Sequence, residues 1–159
     1  YCDHRELHSS IRRQPLICIR DRYKILLQTK CPSWLYEVKQ GATTIWENYI
    51  SYKEDGSPVM TSLNHYAFGC VDDWMFRKIS GIDMAASGFK KIVIAPETNN
   101  AFTSAKRTYM SEYGKVGAEW SMEEGKFKLK VEIPCNTTAT VKLPDGRLYE
   151  VGSGIYQFE

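Results

Sequence analysis

Lys126-Phe127-Lys128-Leu129-Lys130-Val131-Glu132-Ile133 alternates strictly between charged and apolar residues. A period of two puts Phe127, Leu129, Val131 and Ile133 on one face of a strand and the charges on the other. Such a strand has one buried and one wet face, the mark of an antiparallel sheet. Just before it, Glu123-Glu124-Gly125 reads as a hairpin turn, and Ser104–Ser111 and Lys115–Met122 read as strands about Gly114. Further upstream, Phe89–Ala95 ends at Pro96 as another strand. Downstream, Thr137–Leu143, the turn Pro144-Asp145-Gly146, Arg147–Val151 and Gly154–Phe158 complete the series. Short strands separated by turn residues predict an antiparallel β-sandwich. The lysines of 126–130 belong to its solvated face, not to a nucleic-acid track.

Before Gly81 the pattern is helical. Leu63, Ala67, Cys70, Val71 and Trp74 trace one face of a helix expected from a Ser62 cap to about Ile79, with Gly81 as its stop. Phe68, Met75, Phe76 and Ile79 make a second face apolar. A helix apolar nearly all round lies between other helices, and the chain has too few to cover it, so further helices are expected outside it. Tyr23, Ile25, Leu26 and Leu27 read as the last turns of another helix, ending before Cys31-Pro32. Between them, 33–60 reads as a long connection with a helical piece inside, and Lys53–Pro58 as a turn-rich loop. The boundary between the helical part and the sandwich is expected near Gly81–Gly88.

Composition narrows the function classes. The 159 residues suffice for one medium domain or two small ones. The net charge of +2 (21 basic minus 19 acidic residues) gives no reason to expect a nucleic-acid partner. Five cysteines, Cys2, Cys18, Cys31, Cys70 and Cys135, form neither a CxxC pair nor a Cys/His zinc pattern, so reduced thiols and no metal are expected. No run is long and apolar enough to cross a bilayer, and Asp3-His4-Arg5-Glu6 makes the N-terminus unlike a signal peptide. Residues 1–22 carry scattered arginines and no sustained period. Their abrupt change of texture at Tyr23 suggests a reading-frame error or an artificial gene end. Asn136-Thr137-Thr138 matches the glycosylation pattern, which informs only on a secreted protein.

Two clusters carry possible chemistry. Gly41-Ala42-Thr43-Thr44-Ile45-Trp46-Glu47 is a small, hydroxyl-rich turn delivering a Trp and a Glu together. Thr44-x-x-Glu47 has the form of a capping box, in which Glu47 folds back on a helix's first amides; the other reading of Glu47 is a catalytic carboxylate. Ser62-Leu63-Asn64-His65-Tyr66 supplies the imidazole, read either as a hydrogen-bonded structural residue or as a ligand contact. No Ser-His-Asp nucleophile motif accompanies them.

These residues, with Cys31-Pro32-Ser33-Trp34-Leu35-Tyr36 before them, resemble the C-terminal part of bacterial α-L-rhamnosidases. Tyr113-Gly114-Lys115-Val116, Ile133-Pro134-Cys135-Asn136-Thr137-Thr138-Ala139 and Gly152-Ser153-Gly154-Ile155-Tyr156 extend the resemblance, which covers about residues 23–159 in order. It implies an α+β chain: the C-terminal remnant of an (α/α)6 barrel followed by an antiparallel β-sandwich. The implied partition is an atypical segment at 1–22, the barrel's end at 23–82 and the sandwich at 83–159.

The resemblance also implies an inverting glycosidase acting on rhamnose-containing glycosides without a cofactor, with neither nucleic acid nor membrane as partner. A bacterial cytoplasmic or periplasmic setting goes with it. Inverting hydrolysis uses two carboxyl groups about 6.5–9.5 Å apart, one protonating the leaving oxygen and one activating water. Glu47 falls in the place of the base and His65 in that of a sugar-binding histidine. Trp46 and Trp34 offer flat apolar faces for a 6-deoxy sugar, and Tyr49 stands where the family more often has a Trp. The family's acid motif is not found, so a chain inactive alone is expected. The alternatives are a non-catalytic carbohydrate-binding or scaffold sandwich, and a glycosidase of the same barrel type acting on another sugar.

Overall fold

The structure, a computed structural model, describes residues 19–53, 55–99 and 101–159. The expectations for 1–18 lie outside the described residues. The chain divides into two compact units between Cys70 and Val71.

In the first unit, α1 (Ile19–Leu27) and α2 (Trp34–Lys39) are neighbours. The helix expected to end before Cys31 is therefore present. Ser33 starts α2: its backbone is extended and its Oγ accepts the Tyr36 amide at 3.0 Å. Gly41 then turns the chain at φ +85°, a conformation natural to a residue without Cβ. From there to Tyr66 the backbone is irregular, and a short 3₁₀ turn, Ala67–Cys70, closes the unit.

Here two expectations fail. No helix begins at Thr44, so there is no capping box; the Thr44 hydroxyl donates to the Leu63 carbonyl instead. Nor does a helix begin at Ser62. The chain is irregular to Tyr66 and turns helical only at Ala67; Ser62 N–H is bonded to the Glu47 carboxylate at 2.9 Å and His65 N–H to the Ile45 carbonyl at 2.8 Å. Leu63 and Cys70 are exposed, against the all-round burial expected of them.

The second unit opens with α3 (Val71–Trp74) and a π-helical turn, Met75–Ile79. Gly81 ends this run at φ +82°, and a Cβ there would lie 2.3 Å from the Pro96 nitrogen. Among the described residues eight strands follow: β1 (Ile82–Met84), β2 (Lys91–Ile94), β3 (Ser104–Ser111), β4 (Gly114–Glu123), β5 (Lys126–Ile133), β6 (Thr138–Lys142), β7 (Leu148–Val151) and β8 (Gly154–Phe158). They form two four-stranded sheets, ordered β1-β2-β6-β7 and β3-β4-β5-β8. One pairing departs from the antiparallel expectation: β2 and β6 run parallel, Ile92 beside Ala139. β1 was not anticipated, because three residues with Asp83 in the middle carry no readable period.

The alternation that suggested the sandwich becomes its core. Leu129, Val131 and Ile133 of β5 are buried with Val116, Ala118 and Trp120 of β4, and cross-strand pairs Trp120–Leu129 and Ala118–Val131 hold the register. Ile82, Ile92, Ile94, Ala139 and Val141 of the other sheet, with Leu143, complete the cluster. Each fully buried Val, Leu or Ile among them contributes about 1.5–3 kcal/mol of apolar transfer. Trp120 also donates its indole N–H to the Ile79 carbonyl at 2.7 Å. The Glu124-Gly125 turn, both residues at positive φ, suits a tight hairpin between β4 and β5. Two packed sheets thus account for the sandwich; the described helices are few, and they do not by themselves make a barrel.

Candidate active site

The first unit's irregular stretch is organised by two segments, 44–47 and 61–65, laid side by side. Glu47 N–H donates to the Ser62 carbonyl at 2.9 Å, and Ser62 N–H donates to Glu47 Oε2 at the same distance. Thr61 Oγ1 adds a longer contact to Oε2 at 3.4 Å. One residue thus bonds its neighbour through backbone and side chain at once, which fixes where the exposed carboxylate sits. All three bonds leave Glu47 Oε1 without a partner among the described residues.

The Ser62 amide above all, then His65 and Thr61, hold the Glu47 carboxyl below its ordinary range, against a smaller opposing effect of desolvation. A carboxylate with one oxygen anchored and the other unbonded presents a proton acceptor in a fixed place, and the lowered pKa keeps it ionised while making it a weaker base.

His65 stands close by. Its backbone is tied to Ile45, and its Nδ1 accepts the Ala67 amide at 3.1 Å. With Nδ1 an acceptor, the neutral ring carries its proton on Nε2, which is then a donor to an outside group. The ring stacks on Tyr66 at 5.0 Å. Glu47 and His65 border one open groove of about 480 Å³, with Asn48, Met60, Thr61, Ala67 and Phe68.

The other sequence-derived site residues lie differently. Trp46 is 3% exposed and packs edge-on against Tyr52 at 5.4 Å; Tyr49 is 1% exposed and stacks on Phe68 at 4.3 Å. Neither ring offers an open face for a sugar in this structure, because each is used in packing. Trp34 is half-buried, meets Tyr49 edge-on at 6.0 Å and donates its indole N–H to the Phe68 carbonyl at 3.1 Å. The structure therefore brings Glu47 and His65 to the groove and leaves Trp34, Trp46 and Tyr49 out of its lining.

Several contributors had no sequence signal. Thr61 and Ser62 orient Glu47, although Ser62 reads as a helix cap. Glu37, which nothing in the sequence singles out, is 2% exposed. Among the described residues no group of three His, Cys, Asp or Glu side chains is placed to hold a metal ion, and no helix is long and apolar enough to cross a membrane.

Residues 20–79 match the bacterial α-L-rhamnosidase six-hairpin glycosidase domain, and residues 81–157 match the bacterial α-L-rhamnosidase C-terminal domain. An α-L-rhamnosidase of Streptomyces avermitilis is 37% identical over 158 residues, covering 86% of this chain and 15% of that protein. One from Formosa agariphila is 44% identical over 125 residues, covering 77% and 14%. The crystal structure of the Aspergillus terreus α-L-rhamnosidase matches with a TM-score of 0.82 at 38% identity, covering 86% of this chain and 16% of that one. That of the S. avermitilis enzyme complexed with L-rhamnose matches with a TM-score of 0.80 at 36% identity, covering 85% and 15%. The chain spans about 15% of the length of these relatives.

Proposed function

Because the chain belongs to the bacterial α-L-rhamnosidase family and corresponds to its C-terminal region, we propose that it is the water-activating part of an inverting α-L-rhamnosidase. Glu47 is the general base. Its unbonded Oε1 takes a proton from water, whose oxygen attacks the anomeric carbon of a terminal rhamnosyl group from the face opposite the leaving glycoside. A carboxylic acid from elsewhere in a longer polypeptide protonates the departing oxygen. The Nε2–H of His65 donates to a sugar hydroxyl, and Trp34, Trp46 and Tyr49 form the aromatic bed behind the groove. On this reading residues 23–82 complete a barrel and residues 83–159 are the appended sandwich, with no cofactor involved.

The observation that carries the reading is the Glu47–Ser62–Thr61 arrangement beside His65, on a groove. It sets a carboxylate whose ionised form is favoured next to an imidazole N–H donor, both open to a ligand. Turnover of an aryl α-L-rhamnoside by the longer polypeptide, and its absence with residues 1–159 alone, is the expected result. A full rate from residues 1–159 alone contradicts the division of labour.

A further inference from the structure

Glu37 bonds both ends of the turn that delivers Glu47. Its backbone carbonyl accepts the Ala42 amide at 3.0 Å, and its side-chain Oε2 accepts the Trp46 amide at 3.3 Å. The carboxyl is 2% exposed, and Oε1 has no hydrogen-bond partner among the described residues. A buried carboxyl is costly unless it is well satisfied, so this one is poorly explained as a contribution to stability. Its position explains it better. Trp46 N–H is held by Glu37, and the next amide, Glu47 N–H, is held by the Ser62 carbonyl. Two consecutive peptide groups are thereby fixed on either side of the Trp46 Cα, and the second of them carries the Glu47 nitrogen, so the place from which the Glu47 side chain starts is set by them.

We propose that Glu37 is a positioning residue for Glu47: a buried clamp, acting through the Trp46 amide, that aims the proton-accepting carboxylate. The role rests on the reading of Glu47 as the general base, whereas the clamp itself does not. Burial raises the Glu37 carboxyl above its ordinary range, with the Trp46 amide opposing, and an uncharged or charged carboxyl oxygen accepts that N–H equally in kind.

The test uses two variants and two readouts. Glu37→Gln keeps an acceptor oxygen; Glu37→Met keeps the volume and loses it. In the longer, active polypeptide, Glu37→Met is expected to lose kcat by roughly 10- to 100-fold with KM changed by less than about threefold, the scale of a misplaced catalytic group. Glu37→Gln is expected to restore kcat to within about threefold of wild type. Equal kcat in wild type and the Met variant, or equal losses in Gln and Met, overturns the positioning role. Glu47→Gln is the control: if it stays active while wild type turns over substrate, the base assignment fails, and the positioning role with it.

Amide exchange on residues 1–159 then tests the clamp by itself. Trp46 N–H should exchange slowly in wild type and Glu37→Gln and faster in Glu37→Met. Should the Met variant not fold, a wild-type Trp46 amide exchanging as fast as that of Thr43, which has no acceptor among the described residues, overturns the clamp. A Trp46 amide as slow as that of Glu47 sustains it.

Discussion

Glu47 and Ser62 hold each other twice, amide to carbonyl and carboxylate to amide, both at 2.9 Å. The double bond between two segments fourteen to fifteen residues apart gives an exposed carboxylate a fixed place without burying it. An exposed glutamate with free rotamers is a weak catalyst, because a base must meet its water in one geometry.

The acid limb of the pH–rate profile reports this arrangement. The Glu47 carboxyl lies below its ordinary value of 4.5, and a base works only when ionised. The kcat/KM of the longer polypeptide should therefore stay on its plateau as pH falls past 4.5 and decline only below it. Thr61→Val, which removes one of the lowering contacts, should move that limb upward. A wild-type limb at or above the ordinary value contradicts the geometry.

His65→Ala should weaken the sugar complex. Loss of one hydrogen bond of about 0.5–1.5 kcal/mol corresponds to roughly a two- to twelvefold rise in KM or in the Kd for L-rhamnose. Calorimetry with L-rhamnose checks it. Unchanged affinity removes His65 from the sugar contacts.

Glu37 gives stability a pH dependence of definite sign. Its carboxyl is raised in the folded state, so the neutral form is favoured by folding. The associated stability is fully present below the unfolded-state value and lost as pH rises from there through the folded-state one. Relative to Glu37→Gln, the wild-type Tm should fall as pH increases across that window. Parallel Tm profiles for the two proteins contradict the burial of a titrating group.

Gly81→Ala tests the close approach in the second unit. A Cβ would meet the Pro96 nitrogen at 2.3 Å from a residue at φ +82°, so the backbone has to move. A loss of at least about 1–3 kcal/mol is expected, measurable by denaturant unfolding. A loss under half that size would mean the two segments separate easily.

The sandwich was legible because its central strand, β5, states in its own sequence which face is buried. Leu129, Val131 and Ile133 need no distant information to be placed inward. The pairing of β2 with β6 was not legible, since a parallel partner more than forty residues away leaves no local mark on Ile92 or Ala139. The helix expected from Ser62 to Ile79 was legible in its later part, since Ala67–Ile79 is helical and stops before Gly81, but not in its start, since 62–66 is irregular. The expected first turn lies instead along a separate segment, with the Ser62 and His65 amides bonded to Glu47 and Ile45.

The site divides in the same way. Glu47 and His65 were found through motifs, and they do share a groove. Trp46 and Tyr49 looked equally available, yet their size makes them packing residues here. Glu37 gave no signal, because a buried glutamate on a short helix reads as a surface residue.

The most direct measurement is kcat for Glu47→Gln in the longer polypeptide, with the fold checked by its Tm. Gln keeps the shape and removes the base, so kcat should drop by at least about 10²–10⁴-fold while Tm stays near the wild-type value. A Glu47→Gln enzyme that turns over an aryl α-L-rhamnoside at the wild-type rate contradicts the assignment of Glu47 as the group that activates water.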